Sequence, residues 1–502
     1  MKYIAAFDIG TTNVKGVLAD ERATIFFEKN VPVVPDYADG FVEQNPEVWY
    51  EAVVRIAREW FRSGIKPQHI ALLSFSGQMQ DCIPVDSGGK PVRPAILYSD
   101  GRGARQAERL RQELGDETII RYTENHMDGT LTFPKLIWLL EHERERYDET
   151  RAFLISSKDY VIARLTGAFV TDPTSAATTG CMNIRTRTWM GEWLERYGLD
   201  PAKMPAIIGS DEPAGTVHAE AAASSGFAAG TPVLCGIGDA GSATLGAGVY
   251  REGEIYAYIG TTGWVAAASD GFMDVRSGAF NLAYVEPGRQ IAIAPLTNAG
   301  SAHKWAAEVF GSGKPWSASV AFKEFEQAVE KAERGTSGVL FLPYLNGERC
   351  PVQDLNATGC FIGLTEATTR EQMGTAVLEG VAMAVRQVLE LIAKPEPERG
   401  LRVTLIGGGA KSKAWCRIIA DVLQCELVVP EDSQFLPSIG AAMLGFSRLG
   451  WGGDYASLCE KVKAGRKFER FVPNPELAAF YNRQYEKFKR LYPALAPVFA
   501  MA

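Results

Sequence analysis

The segment Asp8-Ile9-Gly10-Thr11-Thr12, at the exit of one apolar run, returns as Tyr258-Ile259-Gly260-Thr261-Thr262 at the exit of another. A match over so few residues is compatible with chance. It is also what a duplicated domain shows when each copy opens on the same glycine-tipped hairpin. Tyr3–Asp8 and Val14–Ala19 are the two apolar arms of the first hairpin, and Thr24–Val34 extends it by a third strand. Near Gly230 the pattern restarts, with strands over Thr231–Cys235 and Glu254–Ile259. The boundary between the halves is placed between about 240 and 255, which divides the chain into 1–245 and 246–502.

Strands alternate with helices, so the class is α/β. Asn45-Pro46 starts a helix whose apolar positions Trp49, Val53, Ile56, Ala57 and Trp60 share one face, and Gly64 ends it. Ile70–Phe75 is a buried strand delivering Ser76-Gly77-Gln78-Met79-Gln80-Asp81. A charged helix over Gly101–Gly115 and an amphipathic one over Pro134–Tyr147 follow. The stretch Asp159–Gly180, rich in small and polar residues, has no clear period. Glu371–Ile392 is a long helix. Leu401–Ile406 is a strand entering Gly407-Gly408-Gly409, and the helix after it turns Trp415, Ile418, Ile419 and Val422 inward. Pro395–Gly400 is a loop. The last part of the chain, with Phe468, Phe471, Tyr481, Tyr485, Phe488 and Tyr492, reads as a helix packed on the second half. Trp305 and Trp415 are core positions.

Bulk properties exclude several functions. Of 502 residues 46% are hydrophobic and 22% charged, and the net charge is −8. Such a chain has no electrostatic reason to bind nucleic acid or an anionic membrane. No apolar run approaches the roughly 20 residues of a bilayer span. The chain opens directly on a strand, without the regions of a signal peptide. Its eight cysteines are scattered with no Cys-x-x-Cys, which argues against zinc and against a disulfide scaffold. A reducing, cytoplasmic setting is expected.

Four glycine-rich turns, at 8–12, 236–241, 260–263 and 407–409, each follow a strand. Glycine there lets main-chain N–H groups approach an anion, and turns of this kind in two half-chains suggest a nucleotide held between lobes. The common phosphate motifs fail. Gly311-Ser312-Gly313-Lys314 has Glu308 where a P-loop needs its first glycine, and Pro315 where it needs Ser or Thr. Gly236-Ile237-Gly238-Asp239-Ala240-Gly241 fits the dinucleotide pattern, but Asp239 inside the turn would face pyrophosphate. The histidines at 69, 126, 142, 218 and 303 have no ligand spacing.

The motifs Asp8–Lys15, Gly236–Gly241, Gly260–Gly263 and Gly407–Ser412 resemble, in order, the phosphate and adenosine motifs of the FGGY carbohydrate kinases. Lys135–Leu139, Phe341–Arg349 and Gly359–Leu364 are similar to further signatures of that family. The resemblance runs from about residue 3 to 450. It implies two ribonuclease-H-like domains of the actin and hexokinase superfamily with a cleft between them. It also implies ATP and Mg²⁺ as cofactors, a small sugar as partner, and a homodimer, which is common in the family.

Carried over residue by residue, the resemblance makes Asp239 the base that takes the proton of the attacking sugar hydroxyl. Asp8 would hold Mg²⁺ through water. Thr11, Thr12, Asn13, Lys15, Gly260 and Thr261 would meet the phosphates, and Gly300, Gly408 and Gly409 would flank the nucleotide. Met79, Gln80, Asp100 and Arg102 would join Asp239 on the sugar, although Asp100 and Arg102 also read as a loop ion pair. Gly77-Gln78-Met79, Arg93–Arg102 and Lys158-Asp159-Tyr160 look most like the xylulokinases, which implies D-xylulose as acceptor. Xylulokinases usually carry His where this chain has Gln80. That departure keeps ribulose, gluconate, glycerol and erythritol in play. A sensor without kinase activity would show a helix-turn-helix before the first hairpin, and a dehydrogenase would bind nicotinamide tightly.

Overall fold

The computed structural model describes residues 2–22, 24–38, 40–311, 318–393, 400–431 and 433–501. Apart from Gly311 and Gly400, the P-loop-like segment and the Pro395–Gly400 loop lie outside the described residues.

The first sheet is built on the hairpin of Tyr3–Ile9 with Asn13–Asp20, in a register that sets Asp8 opposite Lys15. Its order is Pro213–Thr216, Pro232–Leu234, Ile70–Gly77, Tyr3–Ile9, Asn13–Asp20, Ile25–Pro32, with Ile237–Gly238 added beside the end of Ile70–Gly77. The second sheet is ordered Phe280–Ala283, Gln290–Leu296, Gly263–Ser269, Ile255–Ile259, Arg402–Ile406, Glu426–Pro430, Phe468–Phe471. The pairing senses correspond. In each sheet the hairpin is antiparallel, its first strand runs parallel to the next long strand, and that strand runs parallel to one further strand before an antiparallel edge. The repeated Ile-Gly-Thr-Thr is therefore the tip of the same hairpin in two copies of one sheet plan.

Parallel neighbours need crossover connections, and helices supply them. Glu47–Arg62 bridges the first sheet and buries Trp49, Val53, Ile56, Ala57 and Trp60. Its two buried indoles keep their hydrogen bonds, Trp49 Nε1 to Gln44 Oε1 at 3.0 Å and Trp60 Nε1 to the Phe27 carbonyl at 2.7 Å. Asn45 accepts from the Glu47 amide at 3.1 Å, so it caps the helix from one position further out. In the second half Arg370–Ile392 starts on a capping box of Thr369 and Gln372. The tail helix Pro475–Phe499 packs Tyr481, Tyr485 and Phe488 into the second core, as its sequence suggests.

Two regions differ from the sequence reading. The helix expected over Pro134–Tyr147 is two, Thr132–His142 and Arg144–Glu149. They part at Glu143, whose carboxylate meets Arg93 at 3.2 Å. The unplaced stretch holds the helix Ser157–Thr166 and a turn of helix at Pro173–Ala176. Its polar look is misleading. Lys158, Asp159 and Asp172 are all fully buried, with Lys158 Nζ 2.6 Å from Asp159 and 3.0 Å from Asp172.

Between the two sheets lie the helices Asp239–Gly246 and Leu436–Leu449, which pack on each other; the second also covers strands of the first sheet. The two backbones approach so closely that only glycine fits. A Cβ on Gly246 would stand 2.0 Å from the Leu436 carbonyl oxygen, and one on Gly440 1.9 Å from that of Ser242. Ser242 Oγ donates to the Pro437 carbonyl at 2.5 Å, and Ser74 Oγ to that of Ala441 at 2.6 Å. No helix among the described residues is long and apolar enough to cross a membrane. The crossing predicts that Gly440→Ala destabilises the fold by about 1–3 kcal/mol or more, since the added methyl meets backbone and not a yielding side chain. Urea denaturation of the two proteins measures it, and an unchanged midpoint would refute the crossing.

Candidate active site

The tips of the two hairpins face one cleft, where Tyr258 before the second tip lies within reach of the charges of Asp8, before the first, and of Asp239. In the first, the Gly10 amide donates to the Asn13 carbonyl at 3.0 Å. In the second, the Gly260 amide donates to that of Thr262 at 2.9 Å. The Gly300 amide binds the Gly260 carbonyl at 2.8 Å, and a Cβ on Gly300 would stand 2.2 Å from that oxygen. Gly407, at φ +93°, turns beneath Ile259 in the same way, with a Cβ position 2.5 Å from its carbonyl. Thr12, Thr261 and Gly408 are exposed at these tips. Their amides have no hydrogen-bond partner among the described residues, which leaves them open to an anion. Lys15 Nζ donates to the Gln434 carbonyl at 3.0 Å and Lys411 Nζ to Gln434 Oε1 at 2.8 Å, so cations from both halves gather beside one residue.

Asp239 is the first residue of a helix and not part of a turn, which corrects the sequence reading of this position. Its Oδ1 accepts from the Ala240 amide at 2.8 Å. Burial, the nearby charge of Asp8 and, less, that of Asp172 push its carboxyl up to about 7. Asp8, at the end of Tyr3–Ile9, is also raised by burial, although Lys15 and a 3.0 Å hydrogen bond from Ser76 Oγ oppose the rise. The carboxylate of Asp8 thus adds to the rise at Asp239, which has no cation among its partners in the described residues to offset it. No set of three His, Cys, Asp or Glu converges on one point among the described residues. The carboxylates of Asp8 and Asp239 are of the kind that suits Mg²⁺, which takes one or two carboxylates and completes its shell with water and phosphate oxygens. Asp8 and Asp239 are the residues that would face it.

The other wall of the cleft carries the strand exit Gly77–Asp81. Met79 lies against Gly238, where a Cβ would come 2.1 Å from its sulfur, and so adjoins Asp239. Gln80 sits at φ +69°, a conformation rare for a side-chain-bearing residue. The buried Lys135 holds it there, donating to the Gln80 carbonyl at 3.1 Å and to that of Leu97 at 2.7 Å. Gln80 Nε2 donates to Thr130 Oγ1 at 2.7 Å. A cavity of about 910 Å³ continues outward from there, walled by Met127–Thr130 of the first half and by Gly278, Phe280 and Arg349 of the second.

Asp100 and Arg102 do not face this cleft chemistry. Asp100 is fully buried, accepts from the Val42 amide at 2.7 Å and grips Arg102 through Nε at 2.8 Å and Nη2 at 2.7 Å. Arg102 also pairs with Glu43 and lies over Phe41. They are the loop ion pair that the sequence allowed, and they bind the strand Phe41–Gln44 to the body.

The structure adds residues that sequence reasoning did not single out. Tyr98 is half-buried with its hydroxyl toward Thr11, among Asp239, Asp81 and Arg349. Asp81 is fully buried, accepts from Gln78 Nε2 at 2.9 Å and from the Tyr98 amide at 3.0 Å, and burial pushes its carboxyl well up. Trp264 stacks on Tyr258 with ring centres 4.0 Å apart. Asp81 and Trp264 each follow a recognised motif directly, and that adjacency was the available signal. Arg349 closes the signature Phe341–Arg349, whereas Thr130 had no signal.

Residues 3–246 match the N-terminal domain of the FGGY family of carbohydrate kinases, and residues 259–449 its C-terminal domain. The chain is 31% identical to the xylulose kinase of Escherichia coli strain K12, covering 98% of this chain and 99% of that one. A crystal structure of ligand-bound xylulose kinase from Lactobacillus acidophilus covers all of both chains, with a TM-score of 0.89 at 25% identity. The gluconate kinase of the same organism has a TM-score of 0.89 at 25% identity and covers 100% of this chain and 99% of its own.

The raised carboxyl of Asp239 has a consequence for stability. Its folded pKa stands above the ordinary value of 3.8. Folding therefore opposes its ionisation: the deficit is absent below about pH 4, grows up to about pH 7 and is complete above that. Asp239→Asn removes it. In metal-free buffer this variant melts a few degrees above the parent at pH 8, and the margin shrinks as the pH falls toward 4. Thermal melts across that range check both the sign and the slope.

Proposed function

The chain belongs to the FGGY family of carbohydrate kinases, and we propose that it transfers the γ-phosphoryl group of ATP to a hydroxyl of D-xylulose, giving D-xylulose 5-phosphate. The observation that carries the reading is the position of Asp239. It begins the helix between the two sheets, is coupled to Asp8, and adjoins Met79. Relatives named xylulose kinase match over nearly the whole chain and motivate the choice of sugar.

In this reading residues 1–245 hold the sugar and 246–502 most of the nucleotide. The acceptor hydroxyl rests on Asp239, with the sugar between Met79, Gln80 and Trp264. A carboxylate raised to about 7 is matched to accepting a proton near neutral pH. The amides of Thr11, Thr12 and Thr261, with the Asn13 side chain and the Lys15 ammonium, meet the phosphates. Gly300, Gly408 and Gly409 let the nucleotide approach the backbone between Gly300–Phe310 and Lys413–Leu423. Bound beside Asp8 and the phosphates, Mg²⁺ supplies neutralisation of the charge on the transferring group. The cleft keeps water from the hydroxyl's place, so that the sugar and not water is phosphorylated.

A coupled assay of ADP release with Mg-ATP against D- and L-ketopentoses, glycerol, erythritol and gluconate tests the proposal. D-xylulose is expected to give the highest kcat/KM. A higher value for another acceptor would keep the kinase and replace the sugar. Asp239→Ala is expected to lower kcat by about 10²–10⁴ with ATP binding retained. Turnover near that of the parent would remove Asp239 from its role.

A further inference from the structure

Thr130 is at the centre of a small polar cluster that joins the two halves of the chain. Its hydroxyl oxygen lies 2.5 Å from Asp128 Oδ1, 2.7 Å from Gln80 Nε2 and 3.0 Å from Arg349 Nη2. Asp128 also accepts from the Thr130 amide at 2.7 Å and faces His126 Nε2 at 3.6 Å. Burial raises the Asp128 carboxyl, but His126, Arg349 and Thr130 together outweigh it and hold it well below the usual range. Asp128 is thus a carboxylate, which can only accept.

Counting protons settles the geometry. A threonine hydroxyl has one proton and two lone pairs. The short contact to a carboxylate takes the proton. Arg349 can only donate and occupies one lone pair. The remaining lone pair must receive a donor, so Gln80 presents its amide NH₂ to Thr130. Its Oε1 has no hydrogen-bond partner among the described residues and is not sealed from solvent. The Gln80 main chain is already fixed by Lys135. Both ends of the residue are therefore determined, and the carbonyl of the amide is the group left for the cleft.

We propose that Thr130, with Asp128 and Arg349, is a positioning clamp that turns the Gln80 carbonyl toward the acceptor, so that this subsite takes a sugar hydroxyl as hydrogen-bond donor and disfavours a carboxylate. The inference rests on the reading of Gln80 as an acceptor-contacting residue. Thr130 touches no substrate itself; it acts through Gln80. Arg349 comes from the other half of the chain, so the clamp is complete only when the halves stand as they do here. Reading of the sugar is thereby tied to how the two halves are placed against each other.

The test is steady-state kinetics of the full-length protein with its best acceptor and with gluconate. Thr130→Val removes the hydroxyl but keeps the shape, and is expected to raise KM for the acceptor about tenfold while KM for ATP stays within about twofold. Thr130→Ser restores the parent value. Asp128→Ala, at a partly exposed position, frees the threonine proton to point at Gln80 and raises the acceptor KM in the same way. In the double variant Gln80→Ala with Thr130→Val, the threonine change adds nothing to the glutamine change, because one acts through the other.

An unchanged acceptor KM in Thr130→Val, a parallel rise in KM for ATP, or additive effects in the double variant would each overturn the clamp while leaving the kinase intact. Preference for gluconate over every neutral sugar would overturn the stated selectivity. A parent protein that releases ADP with no acceptor would bring down the functional reading itself, and the clamp with it.

Discussion

The close crossing of Asp239–Gly246 with Leu436–Leu449 is the constraint on which the cleft depends. Backbone meets backbone at Gly246 and Gly440, where a single carbon could not be added without displacing a carbonyl. Because Asp239 is the first residue of one of these helices, the crossing sets where its carboxylate stands between the sheets. The second sheet holds the same helix from its own side. Trp264 Nε1 donates to Tyr256 OH at 2.9 Å, and that hydroxyl donates to the Ala240 carbonyl at 3.3 Å. A residue next to the proposed base is thus tied to a strand that begins at the second hairpin tip. Glycine at the crossing is required by distance, not by helix propensity, which it opposes.

This frame supports a site that is electrostatically unfavourable on its own. Asp8 and Asp239 are both raised by burial, and Asp239 also by the nearby charge of Asp8. A carboxylate that has lost water and gained a like-charged neighbour is stabilised by whatever cation or proton arrives, and its preference for a proton near pH 7 is what a base for a sugar hydroxyl needs. Contrast Asp239 with Asp100, which is fully buried but gripped by Arg102 and held low. The two aspartates have the same chemistry and opposite environments. Burial alone does not mark a functional carboxylate; burial without a committed partner does.

Much of the fold was legible because it obeys local rules. The helix Glu47–Arg62 announced itself through apolar spacing, and both hairpins through glycine at their tips. Lys158, Asp159 and Asp172 escaped reading because charged residues so rarely lie wholly inside, and nothing in a linear sequence shows that they neutralise one another. The candidate site divided in the same way. Asp8, Asp239 and the glycine turns sit in short contiguous motifs, and it was the resemblance of those motifs to a family that pointed to them. Thr130 meets Gln80 across 50 residues and Arg349 meets Thr130 across 219, so only the folded chain brings them together.

The two halves share a sheet plan but use it unequally, and the inequality suggests where specificity resides. In the proposed reading both hairpin tips meet the phosphates through backbone amides, with Asn13 and Lys15 adding side chains on the first. The acceptor wall is different. It is formed by a strand exit, a residue held at positive φ by Lys135, and loops from both halves that contribute Thr130 and Arg349. Changing one side chain there alters which hydrogen-bonding group faces the sugar without disturbing either sheet or the crossing between them. A duplicated fold with a fixed phosphate end and a replaceable acceptor end can therefore change its sugar by point substitution. Gln80, standing where xylulokinases usually have histidine, is a substitution of that kind, and its meaning depends on the clamp behind it more than on the residue itself.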